Sequence, residues 1–253
     1  MSTTSAPLTD SRIMLRRNFK HILRNPVTIF NGAVMPVVIM LMFVYVLGNA
    51  FNVGERYVEY VTPGMILLAI TYGLSATAIS VNSDMAKGVI NRFKVMNVSR
   101  GAVLNGHVTA TVLSSSVAIA AIIGMAFALG FRSPATPLDW LGAIGVIVAT
   151  AFAAAWLTVA LGMAAKTPQS ASLGVVPLLL LPFLSSAIAP AATMGQGFRQ
   201  FAQYQPFTPI IESLRGLLAG TPSGGYAAAA LAWCAGIALA GYLWSRATFS
   251  KRA

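Results

Sequence analysis

Few residues in this sequence could carry out chemistry, and their spacing does not assemble a catalytic or metal-binding site. The chain of 253 residues has 1 cysteine, 2 histidines and 6 acidic residues. Covalent catalysis needs a nucleophile beside a base, and a metal needs several clustered ligands. His21, His107 and Cys234 are far apart in the sequence, and the apolar runs around the last two contain no carboxylate. An intramembrane enzyme is therefore disfavoured, and Cys234 is expected to be an ordinary buried residue.

The sequence also lacks a loop that could bind the phosphates of ATP. A P-loop has the order G-x-x-x-x-G-K-[ST] and follows a strand. The nearest approach is Lys166-Thr167, but Ala160 and Ala165 stand where the two glycines should be. ATP hydrolysis linked to this chain is therefore expected on a separate protein.

The elements that must position these residues are long apolar runs. Hydrophobic residues make up 57% of the chain and charged residues 9%, against roughly 25% charged in soluble domains. Each of six runs without charge exceeds the roughly 20 residues that cross a bilayer. The runs occupy 25–54, 60–83, 101–131, 140–165, 167–198 and 216–245. They predict an all-α integral membrane protein with six transmembrane helices, in a single transmembrane domain over residues 1–253.

The distribution of basic residues predicts the orientation. Lysine and arginine accumulate in the short loops on the cytoplasmic side of a membrane. With the N-terminus inside, the cytoplasmic segments 1–26, 83–104, 165–170 and 246–253 hold 13 of the 17 Lys and Arg residues. Both termini are therefore predicted to be cytoplasmic. The net charge of +11 is explained by this topology, and no nucleic-acid partner is expected.

A basic amphipathic helix is predicted over residues 10–25, before the first apolar run. Arg16, Lys20 and Arg24 share one face, and Phe19 lies on the opposite one. Such a helix lies at the membrane surface with its basic face toward anionic lipid headgroups. It is interpreted either as a membrane anchor alone or as an anchor that also contacts a cytoplasmic partner.

A second short helix is predicted over residues 83–98, with Ser83 as its N-cap and Asp84 in its first turn. Its length and charge exclude a membrane span. Met85, Val89, Phe93 and Met96 form one apolar stripe, and charged or polar residues lie elsewhere around the helix. Two interpretations stand: an interfacial loop helix that satisfies the positive-inside rule, or a rigid protrusion that a cytoplasmic protein grips.

The connection before the last run predicts two short amphipathic helices over residues 193–219, which lie at the outer surface or re-enter the bilayer. In the first helix, Phe198, Phe201 and Tyr204 recur at helical spacing. Pro206 and Pro209 then interrupt, and the second helix follows as IIESLRGLLAG, ending at Gly220. Glu212 and Arg215 are three residues apart and are expected to form an ion pair. In the fifth run, Pro177 and Pro182 predict a kink.

Three segments resemble one known family. They are RNPVTIF before the first run, TPGMILLAITYGLSATAIS leading into DMAKGVINRFKVMNVSRGAVLNGH, and QPFTPIIESLRGLLAG before the last run. The chain resembles the membrane subunit of type-2 ABC exporters, especially the daunorubicin-resistance-like permeases. It differs from them in one detail, because Ala86-Lys87-Gly88 stands where such permeases usually place acidic residues before the glycine.

The resemblance implies a non-enzymatic permease of the prokaryotic plasma (inner) membrane. It implies ATP-driven export of hydrophobic or amphipathic small molecules such as drugs and natural products; lipids or glycans are the alternative cargo. The implied partners are a separate ABC ATPase, a second permease copy in a homodimeric 2+2 complex, and membrane lipids. No cofactor is expected on this chain, because ATP and Mg belong to the ATPase.

The resemblance also assigns roles to the predicted helices. The segment 83–98 corresponds to the coupling helix, which sits in a groove of the ATPase; the helix over 10–25 braces the same partner, and the two external helices roof the exit. The residues expected to couple the permease to the ATPase are Asp84, Met85, Lys87, Gly88, Val89, Asn91, Arg92, Phe93 and Met96.

Two other classes of membrane protein are less compatible with the residues. An ion-coupled carrier usually keeps ionisable residues within the bilayer, but the six runs contain no Asp, Glu, Lys or Arg, and His107 has no evident acidic partner. A passive channel or a packing scaffold is the other class. The residues that could line a hydrophobic pathway could equally pack between helices or face lipid; they are Asn31, Met35, Met65, Tyr72 and Phe183.

Overall fold

The computed structural model describes residues 30–48, 56–86 and 100–252, and these ranges contain helices and no strand. Helix α1 is Met35–Met42, flanked by π-helical turns Phe30–Val34 and Phe43–Leu47. The other α-helices are α2 (Tyr57–Tyr72), α3 (Leu74–Ala86), α4 (Arg100–Ala128), α5 (Pro137–Ala164), α6 (Pro168–Leu180), α7 (Gln196–Tyr204), α8 (Phe207–Leu218) and α9 (Gly224–Arg252). The prediction of an all-α protein is confirmed for the described part of the chain.

Four helical stretches are long and apolar enough to cross a bilayer. They are Tyr57–Ala86, which combines α2 and α3, Leu104–Ala128, Pro137–Ala164 and Gly224–Phe249. Two shorter apolar stretches, Gly32–Val46 and Pro168–Leu184, overlap the first and fifth apolar runs. Every apolar run of the sequence therefore contains a helix, and the crossing of the membrane by all six stays a prediction.

Helix α2 forms the centre of the fold. It is apolar on all sides, and 14 of its 16 residues are buried. A helix that is hydrophobic all round must be covered on every side. Helix α2 packs against α1, α4 and α8, whereas α3 packs mainly against α5 and α6.

Helices α2 and α3 are separated at Gly73. Helix α3 then continues to Ala86 without interruption, so Ser83 and Asp84 lie inside it. The prediction that Ser83 caps a new helix is therefore wrong. An N-cap residue needs a non-helical backbone, and here the hydrogen-bonded turns of the preceding helix simply continue through this position.

The close contact between α5 and α9 depends on small residues. The backbone of α9 at Gly241 approaches α5 so closely that a Cβ there would lie 2.6 Å from the Leu157 nitrogen. Beside this contact, the rings of Trp156 and Tyr242 meet edge to face at 5.0 Å. Small residues let membrane helices pack backbone to backbone in this way. Cys234 is buried in α9, as predicted.

Helices α5 and α6 each begin with a capping box and a proline. In α6, the Thr167 hydroxyl accepts from the Ser170 backbone N–H, and the Ser170 hydroxyl accepts from that of Thr167. Such reciprocal bonds satisfy N–H groups that a helix start leaves unpaired. Thr167, which with Lys166 gave the nearest sequence match to a P-loop, is thus a helix cap.

Four prolines lie in or next to helices where the sequence predicted a kink or an interruption. Pro177 lies inside α6, and the chain tightens into a 3₁₀ turn at Leu181–Leu184, which contains Pro182. The predicted kink of the fifth run is therefore a break of the helix. Helix α8 begins immediately after Pro206, with Pro209 in its first turn, so the predicted interruption is shorter than the sequence suggested.

We predict that Gly241→Ala destabilises the protein by about 1–3 kcal/mol, because the new methyl group would overlap the backbone of α5. Gly236→Ala in the same helix is the matched control, because a Cβ at Gly236 meets nothing within 4 Å. Thermal unfolding of the two purified variants in detergent measures the difference. Equal unfolding temperatures would contradict this description of the α5–α9 contact.

Candidate functional site

The fifth apolar run loses its helical structure beyond Leu184. Ser185, Ser186 and Ala187 are buried, and their backbone belongs to no helix. We refer to residues 185–188 as the unwound segment. Non-helical backbone at membrane depth is tolerated only where protein or a water-filled cavity satisfies its polar groups. The side chains that hydrogen-bond to the backbone of this segment are therefore required for the fold.

Two tyrosines of α2 donate hydrogen bonds to the unwound segment. The Tyr60 hydroxyl donates to the Ser186 carbonyl at 3.0 Å, and the Tyr57 hydroxyl donates to the Ile188 carbonyl at 3.2 Å. The two tyrosines are three residues apart and therefore share one face of the helix. At the adjoining turn, Gly64 brings the backbones together, because a Cβ there would lie 2.5 Å from the Ala187 Cβ.

The residues around the α7–α8 junction hold the same segment from the other side. Gln205 is buried, and its amide donates to the Leu184 carbonyl at 2.7 Å. The Ser186 backbone N–H donates to the Thr208 hydroxyl at 3.4 Å. The external helices predicted from sequence are thus joined directly to the broken end of the fifth run.

Arg215 of α8 contacts both the unwound segment and α2. Its Nη2 donates to the Ser186 carbonyl at 2.9 Å and to the Tyr60 carbonyl at 3.2 Å. Its guanidinium carbon lies 3.8 Å from the centre of the Tyr60 ring, a cation–π contact. Its Nη1 donates to Glu212 Oε1 at 2.5 Å, so the predicted ion pair is present. We call Tyr60, Ser186, Glu212 and Arg215 the Arg215 hub.

The burial of the hub makes these bonds energetically important. The side chain of Arg215 is 14% exposed and that of Glu212 is 25% exposed. A charge removed from water costs free energy unless it is paired and hydrogen-bonded. The planar guanidinium can contact a carboxylate and two carbonyls at once, which a lysine ammonium on a flexible stem does less well. The geometry therefore favours arginine at this position.

The aromatic residues of α7 are exposed in the described structure. Phe198, Phe201 and Tyr204 face away from the rest of the protein, and within this helix only Ala202 is buried. The aromatic stripe therefore does not contribute to the core. Its predicted place at the outer membrane surface stays a prediction.

The residues predicted to line a pathway are only partly brought together. Met65 is fully buried in the main core, and Tyr72 and Phe183 pack against the same core from partly buried positions. Met35 is exposed on α1, and the Asn31 side chain lies outside the described residues. The burial of Met65 is explained by packing between helices and does not require contact with a cargo.

A second polar cluster lies at the other end of the helical stretch Tyr57–Ala86. Asp84 Oδ2 lies 3.2 Å from His107 Nε2, which joins α3 to α4. The expectation that His107 has no acidic partner was wrong, because the two residues are far apart in sequence and meet only through the packing of the helices. Met85, one residue further on, packs against a cluster that contains Leu104 and Trp156.

Asn82 also acts at this end and was not identified from the sequence. It is buried, and its amide donates to the Gly162 carbonyl at 3.1 Å and to the Ala165 carbonyl at 2.8 Å. The last carbonyls of a helix have no partner within that helix, so the amide satisfies the end of α5. The position of this asparagine at the end of an otherwise apolar run could have identified it as a residue that caps a neighbouring helix.

Most of the other predicted contact residues lie outside the described part of the chain. These are Lys87, Gly88, Val89, Asn91, Arg92, Phe93 and Met96 of the segment 83–98, and Arg16, Phe19, Lys20 and Arg24 of the segment 10–25. Their predicted roles stay predictions.

Comparison with known proteins identifies the family. The model of the ABC-2 type transporter family matches residues 9–219, which include the Arg215 hub and the Asp84–His107 pair. The chain belongs to the ABC-2 type transporter family. The resemblance inferred from its sequence segments is thereby confirmed.

Relatives within the ABC-2 family are named as permeases. The chain is 31% identical over 206 residues to the daunorubicin resistance ABC transporter permease protein DrrB1 of Streptomyces coeruleorubidus, covering 80% of this chain and 71% of the relative. It is 28% identical over 219 residues to the probable doxorubicin resistance ABC transporter permease protein DrrC of Mycobacterium tuberculosis, covering 85% and 78%. A putative transport permease, ycf38 of Porphyra purpurea, is 22% identical over 215 residues, covering 82% and 73%.

We predict that Arg215→Met lowers the free energy of unfolding by about 2–3 kcal/mol, because two carbonyls lose a donor and Glu212 loses its counter-charge. Arg215→Lys should recover only part of this loss, since one ammonium cannot reproduce the planar arrangement of donors. Arg199→Met on the exposed surface of α7 is the control and should be close to wild type. Chemical unfolding in detergent measures all three; equal effects of the two methionine variants would contradict a structural hub.

Proposed function

We propose that this chain is the membrane-spanning subunit of an ATP-driven exporter that moves hydrophobic or amphipathic small molecules out of the cell. The observation that carries the proposal is the family match over residues 9–219. Relatives named for daunorubicin and doxorubicin resistance favour drugs or natural products as cargo. Lipids and glycans are the alternative cargoes that the transport assay below must separate.

The energy comes from a partner in this proposal. The sequence has no P-loop, so ATP and Mg are bound by a separate ABC ATPase. Two copies of the permease and two ATPases form the working complex. The ATPase contacts the segment 83–98, which we call the coupling segment, and the helix predicted over 10–25 braces the ATPase. Helix α3 leads straight into this segment, so a movement of the docked residues passes first into the end of α3.

The topology proposed for the complex follows the positive-inside distribution. The chain lies in the inner membrane of a prokaryote with both termini in the cytoplasm. The Asp84–His107 pair is then at the cytoplasmic end of the second span and the Arg215 hub at the outer end. Helices α7 and α8 roof the exit, and the aromatic stripe of α7 rests in the outer membrane surface.

The proposed cycle uses two arrangements of the same contacts. ATP binding draws the ATPases together and displaces the coupling segments, and the paired permeases then open a route between them. A ligand can drive such a change only if its contacts differ between the two states. The carbonyls of the unwound segment are held by side chains, so this part of the fifth run can shift without rupturing a helix. The Arg215 hub keeps α8 attached to the segment as it moves.

A proton-coupled carrier is the second candidate, and the Asp84–His107 pair is the observation that favours it. Both side chains are mostly buried at the end of a span, where carriers place titratable groups. The family match and the named relatives favour the ATP-driven mechanism over this one.

The transport assay distinguishes these mechanisms. The permease is purified with its ABC ATPase, reconstituted into liposomes, and supplied with doxorubicin as a fluorescent probe. We expect transport that requires ATP and stops when the ATPase carries a substitution in its own P-loop lysine. A protonophore should leave the rate unchanged. Transport that follows the proton gradient without ATP would contradict the proposal, and transport of labelled lipid or glycan in place of doxorubicin would reassign the cargo.

The docking role of the segment 83–98 gives a second prediction. Phe93→Asp or Val89→Asp should place a carboxylate on the apolar stripe and reduce export at least about tenfold, because an unpaired charge is disfavoured in an apolar contact. Lys94→Asp introduces the same side chain on the opposite side of the predicted helix and is the control. Insertion into the membrane should be normal in all three variants. Wild-type export by the stripe variants would show that the ATPase does not use this stripe.

A further inference from the structure

The coupling segment begins at a contact between two helices. Asp84, its second residue, lies in α3, His107 follows the segment in α4, and their side-chain atoms lie 3.2 Å apart. The side chain of His107 is 7% exposed and that of Asp84 is 19% exposed. The pair therefore joins the last turn of α3 to the inner part of α4.

The chemistry of this pair suits a stable contact. The His107 Nε2 and the Asp84 carboxylate lie within hydrogen-bonding distance, and an N–H on Nε2 is the group that can donate to the carboxylate. A hydrogen bond to an ionised group is stronger than one between neutral groups, and partial burial strengthens it further. A contact that joins the two ends of a connection also restricts the conformations available to it.

Helix α3 is held on its other side as well. Asn82 and Asp84 are two residues apart, so their side chains leave the helix in nearly opposite directions. The Asn82 amide donates to the carbonyls of Gly162 and Ala165, at the point where α5 ends and the chain turns toward α6. The last turns of α3 are thus tied to α4 on one side and to the α5–α6 connection on the other.

Given the proposed function, we propose that Asp84 and His107 are positioning residues that make the ATPase-docked segment move as one unit with the inner ends of α3 and α4. Asn82 passes the same movement to the end of α5 and the start of α6. Without the Asp84–His107 contact, displacement of the segment would bend the chain where the segment joins α3 and α4. Much of the movement would then not reach these two helices. The pair acts through the coupling segment and touches neither cargo nor nucleotide in this proposal.

The test measures how much doxorubicin is transported per ATP hydrolysed by the reconstituted permease–ATPase complex. We expect Asp84→Ala and His107→Asn each to lower this ratio at least about fivefold, which is the smallest effect typical of coupling between two sites. The ATPase should stay bound and active in both variants. The effects of the two single variants should not multiply in the double variant, because both variants remove the contact that the two residues share. Asn105→Ala, on the exposed side of α4, is the control and should keep the wild-type ratio.

A reversible cross-link tests the same contact in a second way. Cys234 is the only cysteine of the chain, so a Cys234→Ala background allows thiols to be placed by Asp84→Cys and His107→Cys. We expect a low transport ratio from the reduced protein and recovery when a short bis-methanethiosulfonate reagent joins the two thiols. A purely structural role would give no such recovery after folding is complete.

The proposal is overturned if the single variants keep the wild-type ratio, if their effects multiply in the double variant, or if the cross-link restores nothing. Failure of the proposed function would appear elsewhere, as a wild-type complex that shows no ATP-driven transport. The wild-type complex therefore tests the proposed function, and the variants test the role of the Asp84–His107 pair, in the same assay.

Discussion

The need to satisfy every backbone polar group inside a membrane is the constraint on which this structure depends. Helices meet it internally along most of the described chain, and the problem arises only where a helix ends or unwinds. At residues 185–188 the solution comes from side chains: Tyr57, Tyr60 and Arg215 donate to the carbonyls of the segment, and Thr208 accepts from its N–H. Polar side chains of an apolar sequence thus supply the hydrogen bonds at the point where the helical ones stop.

The same constraint organises the opposite end of the molecule. Asn82 satisfies carbonyls at the end of α5, and the Asp84–His107 pair joins α3 to α4. The helical stretch Tyr57–Ala86 therefore carries one polar cluster at each end, with most of the buried helix α2 between the two clusters. In the transport cycle proposed for this ABC-2 family member, the inner cluster receives the movement and the Arg215 hub holds the elements that respond to it.

Features that depend on local sequence were predictable. The helices follow from the apolar runs, the two helices α7 and α8 from their spacing, and the Glu212–Arg215 pair from its three-residue separation. Contacts between distant residues were not: Arg215 meets Tyr60 and Ser186, and Asp84 meets His107, only after the helices pack. The polar residues near Ser83 suggested a helix start, but the turns of α3 continued through them. Pro177 and Pro182 indicated disruption without revealing which one ends the helix.

The side of the membrane that the coupling segment faces decides whether a cytoplasmic ATPase can reach it. Phe93→Cys in a Cys234→Ala background places one thiol on the predicted docking surface, and a membrane-impermeant maleimide reports its accessibility. With the proposed orientation, we expect labelling in inside-out vesicles, suppression of that labelling by bound ATPase, and no labelling in right-side-out vesicles. Labelling of the introduced thiol from the outside would contradict the proposed orientation and, with it, the transfer of energy from a cytoplasmic ATPase.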